Sequence, residues 1–137
     1  MNPITDHTRQ GTIGELLVQL RLLQFEIQAS FPLNDSGNDL IAFRSNVART
    51  LQVKTKLRFN QKGKVVLKRQ KLIRRDFDIL ALVVLNIDTT DELTDLRVDG
   101  CETYFMSKTV AVERSTFSKK YLGNFYGTSG HVASLFD

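Results

Sequence analysis

Seven consecutive apolar residues, Ile79-Leu80-Ala81-Leu82-Val83-Val84-Leu85, form the longest uninterrupted hydrophobic run in the chain. With Phe77 before it and Asn86 after it, this segment predicts a central strand buried on both faces. A doubly buried strand needs cover on each side, so the remainder of the sequence has to supply flanking layers. The run is far short of the roughly 20 apolar residues that span a bilayer. The opening residues, Met-Asn-Pro-Ile-Thr-Asp-His, carry no apolar stretch of the signal-peptide kind. No membrane association is expected, and the expected location is cytoplasmic. Cys101 stands alone, so no disulfide can close within the chain, and no Cys/His group has zinc-site spacing. At 137 residues, with 42% hydrophobic and 25% charged, the chain has enough material for one domain around one core.

Ahead of the apolar run, periodicity places a helix and a meander. From Thr12 the residues Ile13, Leu16, Leu17, Leu20 and Leu23 recur at helical spacing, predicting about four turns that end near Phe25. The preceding residues read as a loose arm or as the first turn. Glu26 to Phe31 alternates like a strand and is closed by Pro32, and the turn formers from Leu33 to Asn38 reverse the chain. Asp39 to Phe43 gives the next strand, Asn46 a turn, and Arg49 to Leu57 a third strand. Gln61-Lys62-Gly63-Lys64 reads as a turn before the short strand Val65-Val66-Leu67, and a basic helical turn covers Arg69 to Arg75. After the central strand, Asp88 to Asp95 reads as a turn. Leu96-Arg97-Val98 and Tyr104-Phe105-Met106 suggest an added hairpin, and the last thirty residues read mainly as loops. The order helix, three-strand meander, crossover, strand defines one α/β or α+β domain spanning residues 1–137.

Charge is segregated along the chain. Leu40 to Arg75 holds twelve Lys or Arg and no acid, whereas Asp76 to Glu102 holds eight acids and one base, Arg97. Unless folding pairs them, the two segments make a positive and a negative region. A concentrated positive surface attracts phosphate backbones through Coulomb attraction and counterion release. The residues expected to meet DNA are Lys56, Arg58, Lys62, Lys64, Lys68, Arg69 and Lys71, with Gly63 at a hairpin tip able to enter a groove. The alternative is a well-solvated basic hairpin.

Chemistry concentrates at one constellation. In Leu51-Gln52-Val53-Lys54-Thr55, apolar and polar residues alternate, which puts Gln52 and Lys54 on one strand face roughly 6 to 7 Å apart. Asp39 begins a strand that should pair with this one through a short connection. A carboxylate, an amide carbonyl and a lysine so grouped suit metal-assisted phosphodiester hydrolysis: Mg²⁺ takes oxygen ligands and keeps several waters. Asp39 and Gln52 would supply oxygens, and Lys54 would face the charge of the transition state. Glu15, on the first helix, would bind the metal through water or take a proton. Each has a plainer reading. Thr12-x-x-Glu15 is a capping box, Asp39 can finish an Asx turn after Gly37, and Lys54 can be a solvated strand lysine.

Gly14-Glu15, Asn38-Asp39-Leu40-Ile41-Ala42 and Gln52-Val53-Lys54 resemble the PD-(D/E)xK nuclease superfamily, whose restriction-endonuclease-like core is helix, three-strand meander, helix, strand. His7-Thr8 through Lys54-Thr55 is similar to the small group I intron-encoded homing endonucleases. Phe77 to Leu82 and Tyr104-Phe105-Met106 also look like the distal strands of that group. The likeness covers about the first 105 residues. Asn38 stands where the superfamily has Pro, and Gln52 stands where it has an acid, which removes one negative ligand. Ser36-Gly37 is similar to the archaeal Holliday-junction resolvases. The resemblance implies a metal-dependent DNA endonuclease using Mg²⁺ or Mn²⁺, homing-type and sequence-specific, acting as a homodimer or homotetramer on double-stranded or branched DNA. A junction resolvase and a catalytically inactive DNA-binding protein on the same fold are the alternatives.

Overall fold

The computed structural model describes residues 4–32 and 39–137. Helix α1 (Asp6–Gln24) starts earlier than the apolar periodicity suggests. Thr5 caps it by accepting a hydrogen bond from the Thr8 amide at 3.1 Å, and Asp6 in the first turn complements the helix dipole. Thr12 is therefore in the second turn, and the expected capping box from Thr12 to Glu15 does not exist. The buried stripe also differs from the expected one. Gly14, Leu17, Val18 and Leu22 face the interior, while Leu16, Leu20 and Leu23 are exposed. Glu26, in the left-handed region at φ 63°, ends the helix, and the Ile27 amide reaches back to the Leu22 carbonyl at 2.9 Å.

Strands β1 (Gln28–Ser30), β2 (Leu40–Arg44) and β3 (Val47–Lys56) form the expected antiparallel meander. The two-residue turn Ser45-Asn46 joins β2 to β3, with Ser45 at φ 54° and Arg44 opposite Val47. The expected turn over residues 33–38, including Ser36, Gly37 and Asn38, lies outside the described residues. Next come β4 (Lys64–Val66), α2 (Arg69–Arg74) and β5 (Ile79–Val84), which returns parallel to β3 with Gln52 beside Leu80 and Lys54 beside Leu82. Strand β6 (Glu102–Ser107) pairs antiparallel with β5, giving a five-stranded mixed sheet in the order β1-β2-β3-β5-β6.

Every residue of β5 is buried. Ile79, Ala81 and Val83 pack with Leu17, Leu22, Leu51 and Phe136 on the α1 face. Leu80, Leu82 and Val84 pack with Leu72, Met106, Phe117 and Leu122 on the other. The apolar run thus serves two cores, one on each side of the sheet.

The expected added hairpin is not formed. Leu96 to Val98 makes no strand, because a short 3₁₀ turn, Val98–Gly100, leads into β6, and β5 takes the partner position. The acidic stretch is a 3₁₀ helix, Thr90–Asp95, closed by Glu92 accepting from the amides of Asp88 and Thr89. Loops do not dominate the last thirty residues either. After α3 (Lys108–Ala111), β7 (Thr116–Ser118) pairs with β4 as a separate ribbon, followed by α4 (Lys119–Leu122) and α5 (Ser129–Ser134). These elements are three to six residues long, so burial of Phe117, Leu122, Val132 and Phe136 rather than local propensity holds them.

Candidate active site

The β2–β3 ladder ends at the pair Leu40–Leu51, and Asp39 stands immediately before β2 with its amide donating to the Leu51 carbonyl at 2.9 Å. Gln52 follows Leu51 on β3, so strand alternation turns its side chain to the face opposite Leu51. Asp39 Oδ2 accepts from Gln52 Nε2 and from the Val53 amide, each at 2.8 Å. The Gln52 amide is thereby fixed with its nitrogen toward the carboxylate. Gln52 is only 4% exposed, and its Oε1 is buried without a hydrogen-bond partner. Leaving such a group unsatisfied costs about 1–3 kcal/mol. A cation would satisfy it, so the donor set fits a hard divalent metal.

Lys54 follows on the same strand face and is partly buried. Burial, then the charge of Arg75, lowers its pKa; Asp39 opposes this, and Lys71 and Lys56 add to it. Arg75 is a neighbour that the strand alternation does not announce. Asp78, by contrast, is a structural clasp. Its Oδ2 accepts from both the amide and the hydroxyl of Thr50, tying β5 to β3.

Helix α1 brings Glu15 to this place through a close contact. A Cβ added at Gly14 would lie 1.7 Å from Thr55 Oγ1, so only glycine lets the helix approach β3 this closely. Gln10 Nε2 also donates to the Thr55 carbonyl at 2.9 Å. Thr55 is thus a packing contact for α1. Glu15 is partly buried, and its carboxyl is pushed above the ordinary range by burial and then by the Asp39 charge. A cleft of about 290 Å³ lies beside this place, with Glu15, Lys54, His7, Lys56, Lys68 and Lys71 on its walls; Asp39 and Gln52 do not line it. His7, Gly11 and Glu15, four apart, share the helix face on the cleft. The signal for His7 is that spacing, readable only once the helix is started at Asp6.

The remaining basic residues spread outward from the cleft. Arg58 pairs with Asp88 at 3.4 Å and shares a second cavity of about 420 Å³ with Lys56, Lys64 and Phe59. Arg69 Nε donates to the Val112 carbonyl. Lys62 is exposed at the turn before β4. Arg44 and Arg58 pair with Asp137 and Asp88, but Lys56, Lys62, Lys64, Lys68, Arg69 and Lys71 make no ion pair with a carboxylate among the described residues. The charge segregation of the sequence therefore survives folding. Elsewhere, His131 is bonded to the Phe105 carbonyl at 2.7 Å, and burial followed by the Asp99 charge raises the Cys101 thiol pKa. Neither reaches the cleft. No group of three or more His, Cys, Asp or Glu is placed to hold a metal ion among the described residues.

A mixed α/β fold with a five-stranded sheet behind such a cleft is similar to the fold of a homing endonuclease. The solved structure concerned is a bacterial homing endonuclease, I-Ssp6803I, which matches with a TM-score of 0.66 and 18% identity over 93% of this chain and 91% of that one. No protein-family model matches the chain. No curated protein matches it either.

Proposed function

We propose that this chain is a metal-dependent DNA endonuclease of the PD-(D/E)xK type, sequence-specific and homing-like, using Mg²⁺ or Mn²⁺. The observation that carries this reading is the Asp39–Gln52 clasp, with its unpartnered carbonyl oxygen, on the strand face that also bears Lys54. Asp39 and Gln52 hold the cation, and Glu15 reaches it directly or through water. When bound, the metal polarises the scissile phosphate and acidifies a water. Lys54 places a fixed positive charge where the pentacoordinate phosphorus gathers negative charge. Glu15, its carboxylate made more basic by burial and the Asp39 charge, takes the proton of the attacking water. Lys56, Lys68 and Lys71 hold the backbone against the cleft, Arg58, Lys62 and Arg69 extend that track, and Lys64 meets the DNA beside them.

Cutting both strands needs two such centres, so the working form is a homodimer or homotetramer. The exposed leucines of α1 support a contact between copies: Leu16, Leu20 and Leu23 line one groove with Gln28 and Ala29 of β1.

Plasmid DNA and a synthetic four-way junction, each incubated with and without Mg²⁺ or Mn²⁺, test the reading. Site-specific duplex cuts are the expected result. Symmetric nicking confined to the junction would replace the homing reading with a resolvase. Tight metal-replete binding without any cut would make the chain an inactive DNA-binding protein, the outcome that Gln52 in place of an acid favours. Lys54→Ala and Asp39→Ala are expected to abolish cleavage while retaining binding. Full activity in both would remove the site.

A further inference from the structure

The β4–β7 ribbon stands apart from the main sheet and has two unlike faces. Val65 and Phe117 point inward and join the core beneath the sheet, together with Leu72, Leu80 and Leu82. The open face carries Lys64, Val66 and Thr116, all exposed, with Val66 directly across from Thr116. Val66 is 53% exposed, although its β-branched side chain would be well used in a core.

The turn that leads into β4 is held firmly, although the expected hairpin with Gly63 at its tip is not formed, because β4 pairs with β7 and not with β3. Asn60 Oδ1 accepts from the amides of Lys62 and Lys64 at 2.9 and 3.0 Å, and Gly63 takes φ +70°. The Lys119 amide donates to the Gly63 carbonyl at 3.1 Å, locking the turn to the start of α4. This turn therefore presents its lysines from a fixed backbone. The ribbon is also continuous with the cleft. Leu67, the residue after β4, lines it beside Lys54, and its amide donates to the Ser115 carbonyl at 2.9 Å. From Lys64 to Leu67 the chain runs roughly 10 Å at strand spacing. That is about three base-pair steps along a duplex.

Resting on the nuclease reading, we propose that the open face of this ribbon, Lys64, Val66 and Thr116, reads base edges in the major groove of duplex DNA a few base pairs from the cleavage point. A two-stranded ribbon fits the major groove. Lysine suits guanine O6 and N7, and the methyl groups of Val66 and Thr116 suit the thymine 5-methyl group. The aliphatic Val66 offers nothing to a phosphate and Thr116 only one hydroxyl, whereas Lys62, Lys68 and Arg69 beside them carry full charges and make no ion pair among the described residues. Position is thus supplied by the flanking cations and sequence by the ribbon face.

Selection from a pool of random-sequence duplexes, without added metal, tests this with the full chain. The wild-type protein is expected to enrich defined bases at several positions. Val66→Ala and Thr116→Ala, both at exposed sites, are each expected to lose about tenfold discrimination at one or two adjacent positions, the scale of one base contact. Their affinity for mixed-sequence DNA at low salt stays within about twofold, because phosphate contacts dominate it. Base preferences identical to wild type in both variants would overturn the ribbon reading and leave the nuclease reading intact. So would a weakening spread evenly over all sequences. A wild-type protein that binds duplexes without preference would overturn the ribbon reading together with the sequence-specific part of the proposed function. A wild-type protein that binds no duplex at all would overturn both readings.

Discussion

At residue scale the candidate centre is under electrostatic tension, and that tension is measurable without any substrate. The Glu15 carboxyl is held above its ordinary value of 4.5 by burial and by the Asp39 charge. Between that value and the raised one the folded protein binds more protons than the unfolded chain, so stability falls as pH rises through the window. Glu15→Gln is therefore expected to melt like wild type at acid pH and above it at neutral pH in EDTA. The gain is at most about 1 kcal/mol, since the side chain is partly solvated. Lys54 runs the opposite way: its lowered pKa makes stability rise as pH climbs toward the ordinary lysine value. Gln52→Glu is a sharper probe. It removes the donor to Asp39 and sets a second carboxylate beside the first, costing about 2 kcal/mol of metal-free stability. Mg²⁺ should restore that loss in a thermal melt, and equal stability with and without Mg²⁺ would count against a cation here. The sequence discloses Asp39, Gln52 and Lys54 as a group, because strand alternation and a short connection are local facts. It does not disclose the orphaned Gln52 oxygen, which exists only because Asp39 fixes the amide.

At the scale of elements, the position of α1 matters most. Gly14→Ala drives a methyl group into Thr55, whose hydroxyl sits on its β-carbon and cannot swing far. The expected cost is about 1–3 kcal/mol by urea titration. Cleavage should drop further than stability does, because Glu15 moves with the helix. Wild-type cleavage in this variant would detach Glu15 from the centre. The same helix shows where periodicity misleads. Its leucines surround it, so spacing favours Ile13, Leu16, Leu17, Leu20 and Leu23, whereas the sheet takes Leu17 with Val18 and Leu22 and leaves Leu16, Leu20 and Leu23 exposed. Leu23→Glu, at a residue 67% exposed, is expected to leave the monomer's melting temperature within a few degrees and to dissociate oligomers in light scattering. The meander and β5 are legible because their patterns are long and consistent. The ribbon strand β7 and helices α4 and α5 are not, since each is too short to carry a period of its own.

At the scale of the whole molecule, the acid-free stretch keeps its excess charge after folding. Arg58 is drawn to Asp88, but the lysines around the cleft make no ion pair with a carboxylate among the described residues. DNA affinity should therefore fall steeply with salt, and Lys68→Ala or Lys71→Ala should each lower the slope of log K against log salt by about 0.9. An unchanged slope would place the phosphate track elsewhere.

The doubly covered strand that dominates the sequence has a consequence for measurement. The amides of Ile79 to Val84 are paired or shielded on four sides, by β3, β6 and the two cores. Hydrogen–deuterium exchange there should proceed only through global opening, which makes β5 an internal clock for the molecule. Exchange in the first turns of α1, bound to the sheet through Gln10 and flanking the cleft, should run faster and slow when the cleft is filled. Read against the β5 clock, the ratio separates a ligand that tightens one wall from one that stabilises everything.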